Sequence, residues 1–339
     1  MFYEIELNEI INSDMLIDLR SEIEYENFHF PRAISFPILN TEERKIVGTL
    51  YDQGKTREAK KNAIIFGAPK LSNLEELVNS SEGSRVIFYC ARGGYRSKTI
   101  TSIFSALGYN VFKLKGGIKA YRHYINNNLN KKIENVDLIT IYGNTGSGKT
   151  EIIHALNAAN YPIIDLENLA NHMGSSLGSV GIGTPNSQKM FDCLMFNAIR
   201  DEKTLYFCEG ESKRIGNSII PDKFYEKMLK SKKVYLETPL TDRVERLVKT
   251  YAKDGVIDEL IASIDKLQKY IGVETFKNIK SSIEKKDYYK AAELLCVKYY
   301  DHNYRFNPNE DTIVIKNTNP ENTVEELKNI YINLQNSSK

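Results

Sequence analysis

Short apolar runs alternate along the chain with longer stretches in which apolar residues recur at helical spacing. Parallel α/β domains produce this alternation, because each buried strand is followed by a helix that covers the sheet. In the first third, strands are predicted at 15–19, 33–37, 85–89 and 111–115, and helices notably at 72–79 and 97–107. The predicted fold class is therefore α/β with parallel sheets.

The segment 123–137 (HYINNNLNKKIENVD) is polar and rich in asparagine. It predicts the end of a helix followed by a linker, with a domain boundary near residue 130. A second series of strands is predicted after it, at 138–142, 161–165, 204–208, 233–237 and 312–316. The helical pattern of 241–300 predicts a helical insertion before the last strand. We therefore predict two domains, 1–130 and 131–339.

The composition excludes several classes of protein. A chain of 339 residues with 27% charged residues and a net charge of +2 is typical of a soluble protein with two domains. The cysteines are scattered and form no C-x-x-C pair, which argues against a structural metal and against disulfides, and favours the cytoplasm. We also expect no signal peptide and no membrane span, since no apolar run approaches about 20 residues.

The strand predicted at 85–89 leads into CARGGYRS (90–97), where one cysteine precedes a cluster of glycines and arginines. Glycines let backbone N–H groups turn toward one centre, and the N-terminus of the following helix adds partial positive charge. The anion loop is predicted to consist of Arg92, Gly93, Gly94, Arg96 and Ser97. Cys90 is predicted to ionise readily beside this loop and to act as a catalytic nucleophile. The alternative is a buried structural cysteine.

Two chemistries use such a loop: rhodanese-type sulfurtransferases carry sulfur or selenium on the cysteine, and dual-specificity phosphatases form phosphocysteine. Five residues separate Cys90 from Arg96, which resembles the phosphatase loop and is one residue longer than the usual rhodanese loop. The phosphatase histidine is missing, because Tyr89 precedes the cysteine. Two other stretches, IDLRSEIEYENFHFPRAISFP and LKGGIKAYR, resemble the rhodanese fold, so the N-terminal domain is predicted to be rhodanese-like.

GNTGSGKT (143–150) matches the phosphate-binding pattern G-x-x-x-x-G-K-[ST] and lies between a predicted strand and a predicted helix, as that pattern requires. Backbone N–H groups are expected to hold phosphate oxygens, the lysine to reach the outer phosphate, and the threonine to ligate Mg²⁺. The predicted diphosphate-binding loop consists of Gly143, Gly146, Ser147, Gly148, Lys149 and Thr150. The second domain is thus predicted to be P-loop NTPase-like, although the motif indicates phosphates and does not specify ATP.

Three acids and an arginine are predicted to support the phosphate site or a metal. Asp165, Glu209 and Glu211 follow predicted strands, and side chains at this edge of a parallel sheet face the ligand crevice. Arg243 and Arg246 lie on one predicted helical face and resemble the phosphate-clamping arginines of P-loop kinases. Solvated loop acids and an exposed basic face are the alternatives.

Between Cys90 and Lys132 there are nine basic residues and no Asp or Glu. In a chain with nearly balanced charge, this asymmetry favours a polyanionic partner such as RNA, with neighbouring tyrosines available for base stacking. The candidates for this contact are Lys113, Lys115, Lys119 and Arg122. A solvated helix face is the alternative.

A rhodanese-like domain followed by a P-loop domain resembles the bacterial tRNA 2-selenouridine synthase family, over nearly the whole chain. Besides the two loops, the similar strings are RAISFPILNTEERKIVGTLY, DLENLANHMGSSLG, CEGESKRIG and YYDHNYRF. One departure is Gly210, where the family pattern has an acid. Any role of an acidic pair therefore falls to Glu209 and Glu211.

The resemblance implies a two-step transferase reaction. The sulfur of wobble 2-thiouridine in tRNA is first geranylated by geranyl diphosphate, and selenium from selenophosphate then replaces the geranylthio group. Cys90 would be the selenium or displacement centre, and the P-loop would hold the diphosphate. The geranyl chain needs an apolar pocket, for which the segment 241–300 is the candidate.

Two other functions stay open at this point. A rhodanese-fold cysteine phosphatase or sulfurtransferase coupled to an ATP-dependent kinase-like domain would explain both loops, but not the basic stretch. A non-catalytic RNA-binding adaptor is disfavoured by the intact Cys90, Lys149 and Thr150.

Overall fold

The computed structural model describes residues 3–253, 255–303 and 306–337. Two compact units are present, one formed by 1–129 with 192–194 and the other by 130–191 with 195–339. Each unit contains its own parallel sheet, so the predicted α/β fold class is confirmed. In the described part of the chain, no helix is long and apolar enough to cross a membrane.

The first unit is built on five strands that run parallel in the order β1-β5-β4-β2-β3. The strands are β1 (Tyr3–Ile5), β2 (Met15–Asp18), β3 (Ile34–Ser35), β4 (Val86–Tyr89) and β5 (Val111–Leu114). The helices are α1 (Glu22–Asn27), α2 (Thr41–Asp52), α3 (Thr56–Gly67), α4 (Leu71–Asn79), α5 (Tyr95–Ala106) and α6 (Gly117–Glu134). Strand β4 is central and fully buried, so the loop that follows it lies at the middle of the sheet edge.

Helices α2 and α3 form an excursion between β3 and β4, and they pack into the core of the same unit. Val47 of α2 and Ala59 of α3 are buried together with Phe88 of β4 and Phe104 of α5. The rings of Phe88 and Phe104 lie 5.7 Å apart. The excursion is therefore a fixed part of the unit, held by apolar burial.

The prediction of a linker within 123–137 is wrong. Helix α6 continues to Glu134 and the next strand begins at Val136, so only one residue separates them. Buried side chains recur at four-residue spacing along this helix, at Tyr121, Ile125, Leu129 and Ile133. Such a stripe holds one face of a helix in a core, whatever the polarity of the other face. The asparagines occupy the more exposed positions and do not end the helix.

The second unit is built on five parallel strands in the order β12-β11-β6-β8-β7, with a separate antiparallel pair β9-β10. The strands are β6 (Val136–Tyr142), β7 (Ile163–Ile164), β8 (Thr204–Glu209), β9 (Arg214–Ile215), β10 (Ser218–Ile219), β11 (Lys232–Glu237) and β12 (Ile313–Lys316). Helices α7 (Lys149–Ala158) and α16 (Pro320–Ser337) cover the sheet through Ile152, Leu156 and Leu327.

The remaining helices of this unit are α8 (Leu166–Ala170), α9 (Gln188–Ala198), α10 (Asp222–Lys230), α11 (Leu240–Tyr251), α12 (Ile257–Asp265), α13 (Val273–Glu284), α14 (Tyr288–Leu295) and α15 (Asp301–Asn303). Helices α11 to α15 lie between β11 and β12, and one π-helical turn, Cys296–Tyr300, links α14 to α15. These helices share a core that includes Leu247, Ile264 and Ile279. The region predicted to be a helical insertion is thus helical and has its own apolar core.

Candidate functional site

Cys90 follows the last residue of the central strand β4 and precedes α5, in a loop that ends at Gly94. Its Sγ lies 3.2 Å from the Oγ of Ser97, in the first turn of that helix. The Cys90 side chain is buried, and it lines a cavity. The helix of 12 residues directs its N-terminal N–H groups toward the loop, which favours an anion there.

The loop is held against the turn between β5 and α6 by close backbone contacts. The N–H groups of Ile118 and Lys119 donate to the carbonyls of Cys90 and Ala91, at 3.0 and 3.1 Å. Gly117 has a φ of +57°, and a Cβ there would lie 2.2 Å from the Cys90 carbonyl oxygen. This contact explains why the LKGG turn accompanies the cysteine loop in the sequence.

Arg96 forms a two-pronged ion pair with Glu24 of α1, with N–O distances of 2.7 and 3.2 Å. Glu24 also accepts from the backbone N–H of Ser21 and lies 3.8 Å from the Nε of Arg44. Burial opposes ionisation, but Arg96 and these other donors outweigh it and lower the pKa of Glu24 to about 2. The charge of Arg96 is thus balanced by a fixed carboxylate, whereas Arg92 is exposed.

Tyr89 occupies the position before the cysteine and is buried behind the loop. Its ring packs edge-on against Phe30, with centroids 5.1 Å apart. Burial and the nearby Asp18 carboxylate raise its pKa well above the ordinary value. Tyr89 therefore belongs to the core of the unit.

The RNA-contact candidates have varied surroundings. Lys113 is buried, pairs with Glu4 and donates to the carbonyl of Gly93 at 3.0 Å. The other two paired cations are Lys115, which lies 2.6 Å from Glu6, and Arg122, which lies 2.7 Å from Asp192. Lys119 is exposed. Lys113 thus helps to hold the cysteine loop in place through its hydrogen bond to Gly93.

The other three thiols of the chain are buried. Burial raises the pKa of Cys193 and of Cys296 to about 11, and it raises the pKa of Cys208 well above the ordinary value. These thiols stay protonated at neutral pH and are poor nucleophiles. Cys90 is also buried, but unlike them it lines a described cavity.

The phosphate loop connects β6 to α7 and is fixed from several sides. The carbonyl of Ser147 accepts from Asn317 at 2.7 Å and from Thr238 at 3.1 Å. Gly146 has a φ of +81°, and a Cβ there would lie 2.8 Å from the carbonyl of Arg243. A rigid loop of this kind presents its N–H groups without first having to be ordered.

Lys149 and Thr150 line a cavity of about 440 Å³, together with Gly143, Ser147 and Gly148 of the same loop. Lys149 Nζ donates to the Gly143 carbonyl at 3.1 Å, and Thr150 Oγ1 donates to Glu167 at 2.7 Å. The buried Oγ of Ser147 has no partner among the described residues. A phosphate oxygen would satisfy it.

The three acids that were predicted to support this site differ in whether they line the cavity. Glu211 lines the cavity, and burial raises its pKa to about 7 even though Lys149 opposes the shift. Glu209 is fully buried and accepts from the N–H of Leu166 at 3.0 Å. Asp165 caps α8 and lies 2.9 Å from His154. Of the three, Glu211 alone lines the cavity.

The two arginines of α11 also have different roles. Arg243 is buried, pairs with Asp301 and donates from Nε to the carbonyl of Thr145 at 2.9 Å. Arg243 therefore stabilises the phosphate loop through its hydrogen bond to the backbone of Thr145. Arg246 lines the cavity, and its NH1 nitrogen is buried without a partner among the described residues. Of the two arginines predicted as phosphate clamps, Arg246, whose Nε also lies 3.1 Å from Glu151, is the one that lines the cavity.

Sequence reasoning missed two further features of this cavity. Glu167 is buried beside Thr150, and burial raises its pKa. Tyr142 and Phe306 form a stacked pair with centroids 4.1 Å apart. A Cβ at Gly210 would lie 2.2 Å from the ring of Tyr142, so the family departure at this position leaves room for that ring. Residues Tyr304 and Arg305 of the similar string YYDHNYRF lie outside the described residues.

Together these features define a protein that joins a rhodanese-type cysteine loop to a P-loop unit. A model described as a rhodanese-like domain matches residues 5–124. A model described as the tRNA 2-selenouridine synthase AAA domain matches residues 136–330, more than half of the chain. The chain belongs to the tRNA 2-selenouridine synthase family, and the resemblance seen in the sequence is confirmed.

Proteins named tRNA 2-selenouridine synthase are similar to this chain. One from Nitrosomonas europaea is 31% identical over 70% of this chain and 63% of its own length. One from Pseudomonas syringae pv. tomato is 27% identical over 87% of this chain and 89% of its own length. Alignments to three of these relatives span only 63–65% of the relatives' length.

A solved structure of the N-terminal domain of a Clostridium difficile 630 protein, titled as ATP/GTP binding, is also similar. It is 32% identical over 36% of this chain and 98% of that chain, with a TM-score of 0.35.

Proposed function

We propose that this protein makes 2-selenouridine in tRNA. In the first step the sulfur of wobble 2-thiouridine displaces diphosphate from geranyl diphosphate. In the second step selenium from selenophosphate replaces the geranylthio group. One observation carries the proposal. This member of the family has two separate loops of the kind that binds anions, and each lies between a strand and a helix of its own sheet.

The phosphate loop suits the first step. When the C–O bond of geranyl diphosphate breaks, negative charge develops on the leaving diphosphate. Donors already fixed around that charge stabilise the transition state most. Lys149 and Arg246 line the cavity, and the Ser147 hydroxyl of the same loop is buried without a partner among the described residues. The apolar chain would lie along Tyr142 and Phe306 at the side of the same cavity.

Mg²⁺ fits the oxygen donors beside this loop, because it prefers hydroxyl, carboxylate and phosphate oxygens. Thr150 would hold it, with Glu167, already hydrogen-bonded to that hydroxyl, as the neighbouring carboxylate. Bound there, the ion would neutralise charge on the leaving diphosphate.

The cysteine loop suits the second step, and its chemistry is constrained by electron balance. Geranylthio-uridine, hydrogen selenophosphate and water give selenouridine, geranylthiol and hydrogen phosphate, and no atom changes its oxidation state. A perselenide on Cys90 would need a two-electron oxidant that these substrates do not supply. We therefore assign Cys90 to displacement.

In this displacement the Cys90 thiolate attacks phosphorus and the Se–P bond breaks, which releases hydroselenide. The selenide forms a bond to C2 of the uridine as the C–S bond breaks. The departing thiolate takes a proton, and water hydrolyses the S–P bond. The loop of five residues between Cys90 and Arg96, which resembles that of the cysteine phosphatases, supports this route.

Mass analysis of wobble nucleosides tests the function directly. Cells that lack the protein should contain 2-thiouridine at this position, and cells that express it with a selenium source should contain 2-selenouridine. Incubation of purified protein with 2-thiouridine tRNA and geranyl diphosphate should give the geranylated nucleoside, and selenophosphate should convert it. Nucleosides that are identical with and without the protein would exclude the proposal and favour a phosphatase–kinase.

A further inference from the structure

The first unit contains an apolar cavity beside the candidate nucleophile Cys90, although the sequence predicted an apolar pocket in the helical segment 241–300. One apolar cavity among the helices of that segment measures about 30 Å³, enough for about one water. The cavity at Cys90 measures about 620 Å³, within the roughly 300–1,000 Å³ of small-molecule sites.

The walls of this cavity come from α2, α3 and α5 and are mainly apolar. Its apolar lining includes Ile38, Val47, Ala63, Ile64, Ile100 and Ile103. Ile64 lines this cavity and is 68% exposed, so its apolar surface is accessible to a ligand there. The cavity therefore has exposed apolar surface that a ligand could cover.

Gly48 is a second and independent indication of a ligand. It lies inside helix α2, where glycine is less stable than alanine. A Cβ at this position would meet only the Nη1 atom of Arg44, at 3.9 Å, and φ is not in the left-handed region. Neither packing nor backbone conformation requires glycine here, but the missing side chain keeps the cavity open.

The cavity also has polar and charged groups in its lining. Cys90 and the cations Arg44, Arg92 and Arg96 line it together with Lys60. Such an arrangement fits a ligand with an apolar chain joined to a group that reacts at the cysteine loop, near an anion.

We propose that this cavity binds the branched apolar chain of the thioether that is displaced at the cysteine loop. The inference rests on the proposed function, in which the C–S bond breaks next to Cys90. A chain fixed in the cavity would hold its own sulfur, and therefore C2 of the uridine, at the loop. The cavity would then select long S-alkyl groups over short ones, and it would receive the thiol that leaves.

Nucleoside binding tests the assignment without any turnover. S-geranyl-2-thiouridine should bind the full-length wild-type protein on the order of 100-fold more tightly than S-methyl-2-thiouridine, because many more methylene groups are buried. Gly48→Leu fills the cavity and should reduce this preference to less than about tenfold. Ile64→Ser, a change at an exposed position, should reduce it several-fold without affecting folding.

Ile65→Ser is the matched control, because Ile65 is the neighbouring residue of α3, is 54% exposed and does not line the cavity. It should keep the wild-type preference. Equal affinity of the wild-type protein for both nucleosides, or an unchanged preference in Gly48→Leu and Ile64→Ser, would overturn the assignment.

Conversion assays on tRNA separate this inference from the proposed function. If the protein inserts selenium into S-geranyl and S-methyl tRNA equally well, the cavity assignment fails and the function stands. If it prefers the geranyl nucleoside in binding but never inserts selenium, the function fails and the chain-binding cavity stands.

Discussion

At the scale of single residues, the charge balance around the cysteine loop depends on Glu24. Arg96→Ala removes its bidentate partner, so we expect the free energy of unfolding at pH 7 to fall by about 1–2 kcal/mol. The folded-state pKa of about 2 lies below the ordinary 4.5. The pair therefore contributes its stability above pH 4.5 and loses it as the pH falls toward 2. The difference between variant and wild type should shrink over that interval.

Urea unfolding between pH 3 and pH 7 measures this difference. Arg92→Ala is the control, since Arg92 belongs to the same loop but is exposed. It should leave the unfolding free energy unchanged within about 0.5 kcal/mol at each pH. A pH-independent loss in Arg96→Ala would mean that Glu24 is not the partner that matters.

Glu211 should make anion binding at the phosphate loop depend on pH. Its raised pKa of about 7 means that it carries a proton below neutrality and a negative charge above it. Without divalent metal, inorganic diphosphate should bind more weakly as the pH rises from 6 to 8. In Glu211→Gln most of this decrease in diphosphate affinity with pH should disappear. At pH 8 the variant should bind diphosphate up to about tenfold more tightly than wild type does.

Calorimetric titration with inorganic diphosphate checks this, and the comparison of variant with wild type cancels the titration of the ligand itself. Glu245→Gln, an exposed change on α11, should behave like wild type. If Glu211→Gln keeps the wild-type pH dependence, another group titrates in the cavity.

The residue scale also shows where sequence reasoning stops. The phosphate loop and the cysteine loop were predictable because their residues are contiguous and their spacing is dictated by backbone geometry. Arg243 and Arg246 were not distinguishable, because both lie on one helical face and only the packing of Asp301 against α11 decides which one faces the cavity. Glu167 was missed because no local pattern separates it from a solvated helix residue.

At the scale of elements, α6 offers a direct test of the corrected prediction. Asn127→Pro places a proline in the middle of this helix, where it removes a backbone hydrogen bond and clashes with the preceding turn. We expect a loss of about 3 kcal/mol in unfolding free energy. Asn127→Ala, the control, should be neutral or slightly stabilising. Urea unfolding distinguishes the two, since a flexible linker would tolerate both substitutions equally.

Strand pairing explains why some cations of the basic stretch are paired with acids, although the sequence between Cys90 and Lys132 contains no acid. Strand β1 was not predicted, because three residues give no clear alternation. It pairs with β5, and this register places Glu4 opposite Lys113. A count of charges along the chain cannot include acids that a parallel strand brings from a distant part of the sequence.

At the scale of the whole molecule, the order of the two units was predictable from the sequence, since each contains a strand, loop and helix whose motif is local. The apolar cavity at Cys90 was not predictable. It depends on how α2 and α3 pack around the loop, and the candidate pocket was expected in a different unit. The whole-molecule question is therefore how the two chemical steps are divided between the units.

In the proposed function each loop serves one step, since Lys149 lines the cavity proposed for the diphosphate and Cys90 lines the cavity proposed for the second step. Lys149→Ala should slow geranylation of 2-thiouridine tRNA at least about 100-fold, yet it should convert pre-geranylated tRNA normally. Cys90→Ser should do the reverse and accumulate the geranylated product. Liquid chromatography of digested tRNA after single-turnover reactions measures both steps, and each variant is the control for the other. If both variants lose both steps while still binding tRNA, the two loops form one composite site, and the division of labour is wrong.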